Sequence, residues 1–361
     1  MRILITCYRL DLTGSSTFTF TLASALRSRD IDVDVFSPFP EILSNRLEQR
    51  GVRVSKSLEQ VASEKYDCII AQHNILASLI RSVKPEVPML FVSHGILRAQ
   101  AFLEQPPSED INIQKYIAVS EEVKDNLISS HRISADDIEV VWNCVDVNRF
   151  SPRGEINERP EVVLFISNRF TSKVYRTIRD ACEKLQLKLI VIGKTKRVFN
   201  TEYYINKADI VISLGRGIIE AMACGRAAIV YDYQGGDGMI TKDNIDEIRK
   251  YNFSGRRFKE KYVVAALIRE ISKYDSRMGA VNRDIIIREH NASLATDRII
   301  SICQEAESNF RPTPGSIAPG KWETVLFYHR LVDRVLPPNS RRRRLASACW
   351  NTINRPFSMR R

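Results

Sequence analysis

Apolar residues in the first 150 positions fall into short runs: Ile3–Cys7, Val33–Phe36, Cys68–Ala71, Met89–Val92, Tyr116–Val119 and Glu139–Val141. Runs of this length, nearly unbroken by polar residues, are what strands buried on both faces require. Between them the spacing predicts helices near 17–28, 40–50, 74–83 and 120–130. Strand and helix in alternation imply a parallel, doubly wound sheet. A second alternation follows: Val162–Ile166, a helix over 173–185, Leu187–Ile192, Ile210–Ile212, a helix over 218–224 and Ala228–Val230. Helices near 243–250, 259–273 and 291–309 complete it. The segment Trp142 to Pro160, with two prolines and a glycine, reads as a linker, and Arg311 to Gly320 as a Pro/Gly hinge. The expected class is α/β, with two doubly wound domains over 1–155 and 156–310 and a tail over 311–361. No internal repeat interrupts this plan.

The stretch Ala208 to Gly238 carries the most chemistry. A β-branched run ends in Gly215-Arg216-Gly217, a helix is expected over Ile218 to Cys224 with Gly225 as its stop, and the strand after it leads into Gly235-Gly236. This is a βαβ unit whose first turn aims a helix N-terminus into the crevice above a parallel sheet. Unpaired N–H groups and the positive end of the dipole converge there, so it suits an anion. The backbone of Gly217 and Ile218 would meet a phosphate, and Arg216 adds a fork of donors. One turn on, Glu220 offers a carboxylate to hydroxyl groups. A phosphate site beside a hydroxyl acceptor suggests a nucleotide-sugar.

Composition changes this picture little. The chain has 361 residues, 44% hydrophobic and 8% aromatic, as expected of a globular enzyme. Seven cysteines are scattered with no CxxC pair, which reads as reduced, buried thiols. Met1 to Ile5 enters a strand at once, and no apolar run reaches the ~18 residues of a membrane span, so a cytoplasmic location is expected. Asp32-Val33-Asp34 spells a DxD, but it lies inside an alternating strand, and we assign it no metal. His131, His290 and His329 join no motif in the sequence, and His73 reads as structural.

Charge changes it more. Residues 311–361 hold eleven Lys and Arg against Glu323 and Asp333, a balance of +9 out of the chain's +11. The body is near +2. A nucleic-acid enzyme would spread charge over its body, so no nucleic-acid partner is expected. In the tail, Trp322, Val325, Leu326, Phe327, Leu331, Val332, Val335 and Leu336 recur at roughly helical spacing. Arg341, Arg342, Arg343 and Arg344 then open a segment containing Leu345 and Trp350. Basic residues interleaved with Trp and Phe suit the anionic inner face of a plasma membrane.

Taken together, Glu220-Ala221-Met222-Ala223-Cys224-Gly225, Ala118-Val119-Ser120-Glu121, Asn143-Cys144-Val145-Asp146 and Val92-Ser93-His94-Gly95 resemble a GT-B glycosyltransferase of the retaining group often labelled glycosyl transferase group 1. The resemblance spans roughly residues 3–305. It implies two Rossmann-like domains facing a cleft and a metal-independent transfer from a nucleotide-sugar, of UDP or GDP type, to a glycan or lipid-linked acceptor. It implies ribose binding by Glu220, a basic pair at Arg169 and Lys173 gripping the diphosphate, His94 near the transferred sugar, and a glycine loop at Gly14-Ser15. The departures are as informative. Ile212 stands where the family motif has its first glutamate, and the loop after it is shortened, which leaves the sugar and the stereochemical outcome open. A silent nucleotide- or glycan-binding module and a sugar-nucleotide epimerase stay as alternatives.

Overall fold

The computed structural model describes residues 1–96, 106–107, 111–194 and 196–311, together with Leu331, Val335 and Arg342. The hinge beyond Arg311, the expected tail helix apart from Leu331 and Val335, and Arg341, Arg343, Arg344 and Trp350 lie outside the described residues. Arg342 itself is helical and exposed.

The first domain contains β1 (Arg2–Thr6), α1 (Gly14–Arg27), β2 (Asp32–Phe36), α2 (Ile42–Glu48), β3 (Arg53–Ser55), α3 (Leu58–Ser63), β4 (Cys68–Ala71), α4 (Asn74–Val83), β5 (Met89–Ser93), β6 (Lys115–Ala118), α5 (Glu121–His131) and β7 (Ile138–Val140). Its sheet runs β3-β2-β1-β4-β5-β6-β7, all parallel. Strand order reverses between β1 and β4, which opens a crevice beyond their carboxyl ends. The second domain contains β8 (Val162–Ser167), α6 (Ser172–Lys184), β9 (Lys188–Gly193), α7 (Thr201–Ile205), β10 (Ile210–Ser213), α8 (Arg216–Ala223), β11 (Ala227–Asp232), β12 (Gly235–Met239), α9 (Ile245–Lys250), α10 (Val264–Ile271) and α11 (Met278–Glu289), and α12 (Ala292–Asn309) follows it in the chain. Its sheet runs β12-β11-β10-β8-β9, with β12 alone antiparallel. The reversal here lies between β8 and β10.

Each sheet is buried on both faces, as the unbroken apolar runs require. One face of the first sheet packs Ile3, Ile5, Leu22, Leu26 and Val92; the other packs Leu4, Ile69, Leu76 and Phe91. The expected boundary at 310 needs correction. Helix α12 sets Ile299, Ile302, Cys303 and Ala306 into the core of the first domain, beside α1, β4 and β5. The chain therefore crosses between domains twice. The crossings are tied where the Val145 amide donates to the His290 carbonyl at 2.8 Å and the Ala292 amide donates to the Val145 carbonyl at 2.9 Å.

Several elements escape the sequence pattern. Strand β12 is mostly glycine, with low strand propensity; it forms as an edge against β11, where a Cβ at Gly236 would collide with the Tyr262 ring. Helix α11 carries three consecutive isoleucines, 285–287, which blur its period. The DxD strand β2 is interior to the sheet, not an edge. Asp34 is buried under Arg2, Arg53 and Tyr66, and Asp32 pairs with Arg27. Among the described residues no group of three or more His, Cys, Asp or Glu gathers, and no helix is long and apolar enough to cross a membrane.

Because α12 completes the first domain's core, Ile299→Ala is expected to cost ~2–5 kcal/mol, the range for truncating a buried aliphatic side chain. Hydrogen exchange of the β4 and β5 amides, far from residue 299 in sequence, should accelerate. Unchanged exchange there would remove α12 from that core.

Candidate active site

The carboxyl ends of both sheets face one cleft of about 530 Å3. From the first domain, α1 starts at Gly14 after Thr13, an N-cap that makes no side-chain cap bond. Gly14 and Ser15 line the cleft, so the first-turn amides of a 14-residue helix meet it. The turn before them is held by Ser16, whose hydroxyl donates to the Arg9 carbonyl at 2.5 Å. His94, just after β5, also lines the cleft.

The state of His94 follows from its neighbours. Gln72 Nε2 donates to the Thr6 carbonyl at 2.8 Å and to Thr19 Oγ1 at 2.6 Å, which fixes the amide with Oε1 toward His94. His94 Nε2 lies 2.7 Å from that oxygen and must carry the proton, leaving Nδ1 as an acceptor. Phe18 packs its edge on the ring. Burial, followed by the charges of His73 and Arg216, lowers the imidazole to about 3. His94 is neutral at working pH and cannot act as a cation toward phosphate. His73 is structural as expected: its Nδ1 accepts the Tyr8 amide, and burial lowers it to about 4.

On the opposite wall, α8 begins at Arg216, two residues earlier than its sequence pattern suggests. Gly215 takes φ +56° as the N-cap, a left-handed backbone that glycine adopts without cost. Gly217 sits so close to β10 that a Cβ would collide with Ser213 Oγ. Arg216 and Gly217 are thus the first helical residues. The Ile218 amide already donates to the Gly215 carbonyl at 3.1 Å, and the Ile218 side chain is in the core. Ile218 is therefore removed from the set of expected donor-binding residues. Arg216 is not a free phosphate fork either. Its Nη1 donates to the Cys144 carbonyl at 2.9 Å, Nη2 reaches Thr21 Oγ1 at 3.3 Å, and Glu220 lies 3.7 Å away. It ties α8 to the crossing segment and to α1.

Glu220 lines the cleft with its side chain 12% exposed, accepting from Thr201 Oγ1 at 3.1 Å. Burial raises its carboxyl, opposed by Arg216 and Arg149. Arg169 lines the cleft on the turn after β8, where its amide donates to Ser167 Oγ at 3.2 Å. Lys173 does not line it. Thr171 caps α6, and Val174, Thr177, Ile178 and Ala181 take the buried face, which turns Lys173 out to solvent.

Other cleft residues were missed. Asp232, Asn252, Ser254 and Arg256 come from β11 and from the loop after α9. Arg256 crosses the cleft mouth to pair with both oxygens of Glu122 and donates to Gln234 Oε1 at 2.6 Å. Asp232 had one usable signal: it is the polar residue that ends a parallel strand, where ligands of such sheets bind. Burial raises its carboxyl, offset by the Ser167 hydroxyl and the Tyr233 amide. The loop residues had none, because two left-handed residues, Asn252 and Phe253, fold that loop back.

Residues 12–149 match the family described as Glycosyltransferase Family 4. No curated protein matches the chain by sequence. Among solved structures, HepE from Anabaena, in complex with UDP and glucose, superposes with a TM-score of 0.61 at 15% identity, covering 84% of this chain and all of that one. A glycosyltransferase from Rickettsia africae gives 0.62 at 14% identity over 86% of this chain and 99% of its own length. The lipopolysaccharide outer core galactosyltransferase WaaB gives 0.52 at 14% identity, covering 84% of this chain and all of that one. The shared fold is GT-B.

The buried histidines make a pH prediction. His94 falls to about 3, and His73 and His290 to about 4, all through burial. The unfolded chain takes up protons below about 6.5, whereas these native rings do not. Acidification therefore favours unfolding, and stability falls between about pH 6.5 and 4. The expected slope is ~1.4 kcal/mol per pH unit for each histidine. Urea denaturation across that range checks it, and His290→Gln should reduce the slope by one proton. A flat profile would contradict it.

Proposed function

We propose that this chain, a glycosyltransferase of the GT-B fold, moves a sugar from a UDP- or GDP-type donor to a glycan or lipid-linked acceptor without a metal ion. The observation that carries this reading is the cleft itself. Two helix N-termini, α1 and α8, line it from opposite domains, with Arg169 and Glu220 on one wall and the neutral His94 on the other. Amides of Arg216 and Gly217 with the Arg169 side chain suit a diphosphate. Glu220 suits ribose hydroxyls. As the acceptor hydroxyl oxygen bonds to the anomeric carbon, the bond from that carbon to the diphosphate breaks; its electron pair passes to the phosphate oxygen, and the hydroxyl proton passes to the departing diphosphate or to solvent. Fixed donors aimed at that oxygen stabilise the growing charge. The neutral His94, with Nδ1 as acceptor, suits a hydroxyl of the transferred sugar or of the acceptor. The UDP and glucose in complex with HepE support a UDP donor, and WaaB, a lipopolysaccharide outer core galactosyltransferase, supports surface glycan synthesis.

The first test is binding. UDP- and GDP-sugars are screened by thermal shift, and a true donor at 100 times its dissociation constant should stabilise by ~2.7 kcal/mol. Stabilisation without turnover would mark a silent module, and turnover of the donor with no acceptor present would mark an epimerase. Glu220→Ala should lose ~1.5–3 kcal/mol of nucleotide affinity, the range for a hydrogen bond to a charged group. Arg169→Ala should lower kcat more than it raises the donor Kd, because the charge it meets grows in the transition state. Unchanged affinity, or a change in KM alone, would remove these roles.

The same reading gives the basic tail a partner, the anionic headgroups of the inner membrane face, on the strength of its +9 charge and interleaved Trp and Phe. Removing residues 338–361 should leave nucleotide binding intact and sharply reduce binding to phosphatidylserine vesicles. Added salt should weaken binding of the full chain. Vesicle binding that survives truncation would show the anchor lies elsewhere.

A further inference from the structure

Among the described residues, two carboxylates line the cleft, Glu220 and Asp232. Their environments differ. Glu220 is engaged on both oxygens, Oε2 by Thr201 and Oε1 facing Arg216. Asp232 is 4% exposed; its carboxyl is favoured by the Ser167 hydroxyl, which donates to Oδ2, and by the nearby Tyr233 amide, but Oδ1 is buried without a well-aligned donor. A buried carboxylate oxygen without a donor is unfavourable unless something arrives to supply one. A second unpartnered atom lies on the same wall: Ser254 Oγ, on a residue 6% exposed. Its loop is held against the α8 N-cap, where the Gly215 amide donates to the Phe253 carbonyl at 2.8 Å.

The sheet order says which part of a ligand meets them. Glu220 is tied to Thr201, at the start of the helix that follows β9. Asp232 ends β11, on the other side of β10 from β8 and β9. The helix N-terminus after β10 and the Arg169 turn after β8 lie between. A donor with its ribose at Glu220 and its diphosphate at α8 therefore extends its sugar toward β11. A carboxylate oxygen repels phosphate and accepts only from O–H or N–H.

We infer that Asp232 accepts a hydroxyl of the sugar being transferred, with the Ser254 hydroxyl as the neighbouring contact. The inference rests on the donor reading above. It also links two parts of the ligand. The Ser167 hydroxyl donates to Asp232 while Ser167 Oγ accepts the Arg169 amide, so the carboxylate that reads the sugar braces the turn that meets the diphosphate.

The test compares UDP with UDP-glucose and UDP-galactose, and GDP with GDP-mannose, by calorimetry on the full chain. In Asp232→Asn one oxygen still accepts from Ser167, and the unpartnered atom becomes a donor. The expected result is a loss of tenfold or more in affinity for the sugar nucleotide, with the bare nucleotide within twofold of wild type. Equal losses for both would assign Asp232 to the base or ribose and overturn the inference, as would no loss at all. Failure of every nucleotide to bind wild type would instead overturn the donor reading, and this inference with it. Should Asp232→Asn misfold, monodeoxy analogues of the bound sugar nucleotide settle the question on wild type. One position should lose tenfold or more, and no loss at any position would overturn the inference. Where the variant folds, that same analogue should lose nothing further in it.

Discussion

The cleft depends on the burial of one helix face. Ile299, Ile302, Cys303 and Ala306 leave the second domain's stretch of sequence and close the first domain's core. Without that return the two sheets would be joined by a single strand of chain and by side-chain ties such as Arg216 to Thr21 and Arg256 to Glu122. With it, two crossing segments lie side by side and bond through Val145, His290 and Ala292. His290 Nδ1 adds a bond to the Asn143 carbonyl at 2.7 Å, and Asn143 is itself a cleft residue. The hydrophobic effect that buries α12 thus sets the geometry of a polar site some distance away.

Around that frame, the cations of the cleft serve structure before chemistry. Arg216 holds α8 to the crossing segment and to Thr21. Arg256 reaches Glu122 across the mouth. Arg149 pairs with Glu202 at 2.9 Å and, with Arg46, stacks on Phe199. Arginines held in fixed roles by their partners give the cleft a defined shape and a positive potential. Beside them, two helix starts present backbone amides to the cleft, groups that need no side-chain ordering.

The sequence by itself determined the two doubly wound sheets, because a strand buried on both faces must be apolar without interruption, and that is visible one residue at a time. It also determined the glycine turn and the helix start that line the cleft, since Gly215, Gly217 and the helix they open are local features, and the presence of Glu220 on that helix. Only the tertiary structure decided which domain α12 belongs to, because an amphipathic helix does not say which sheet it will cover. It decided that Lys173 turns outward while Arg169 lines the cleft, a matter of helix rotation set by Val174 and its neighbours. It decided that Arg216 is already bonded, that His94 is neutral with its proton on Nε2, and that Asp232 holds an unpartnered oxygen. Each of these depends on atoms brought together from distant parts of the chain, and proton placement and burial are properties of that assembly, not of any one residue.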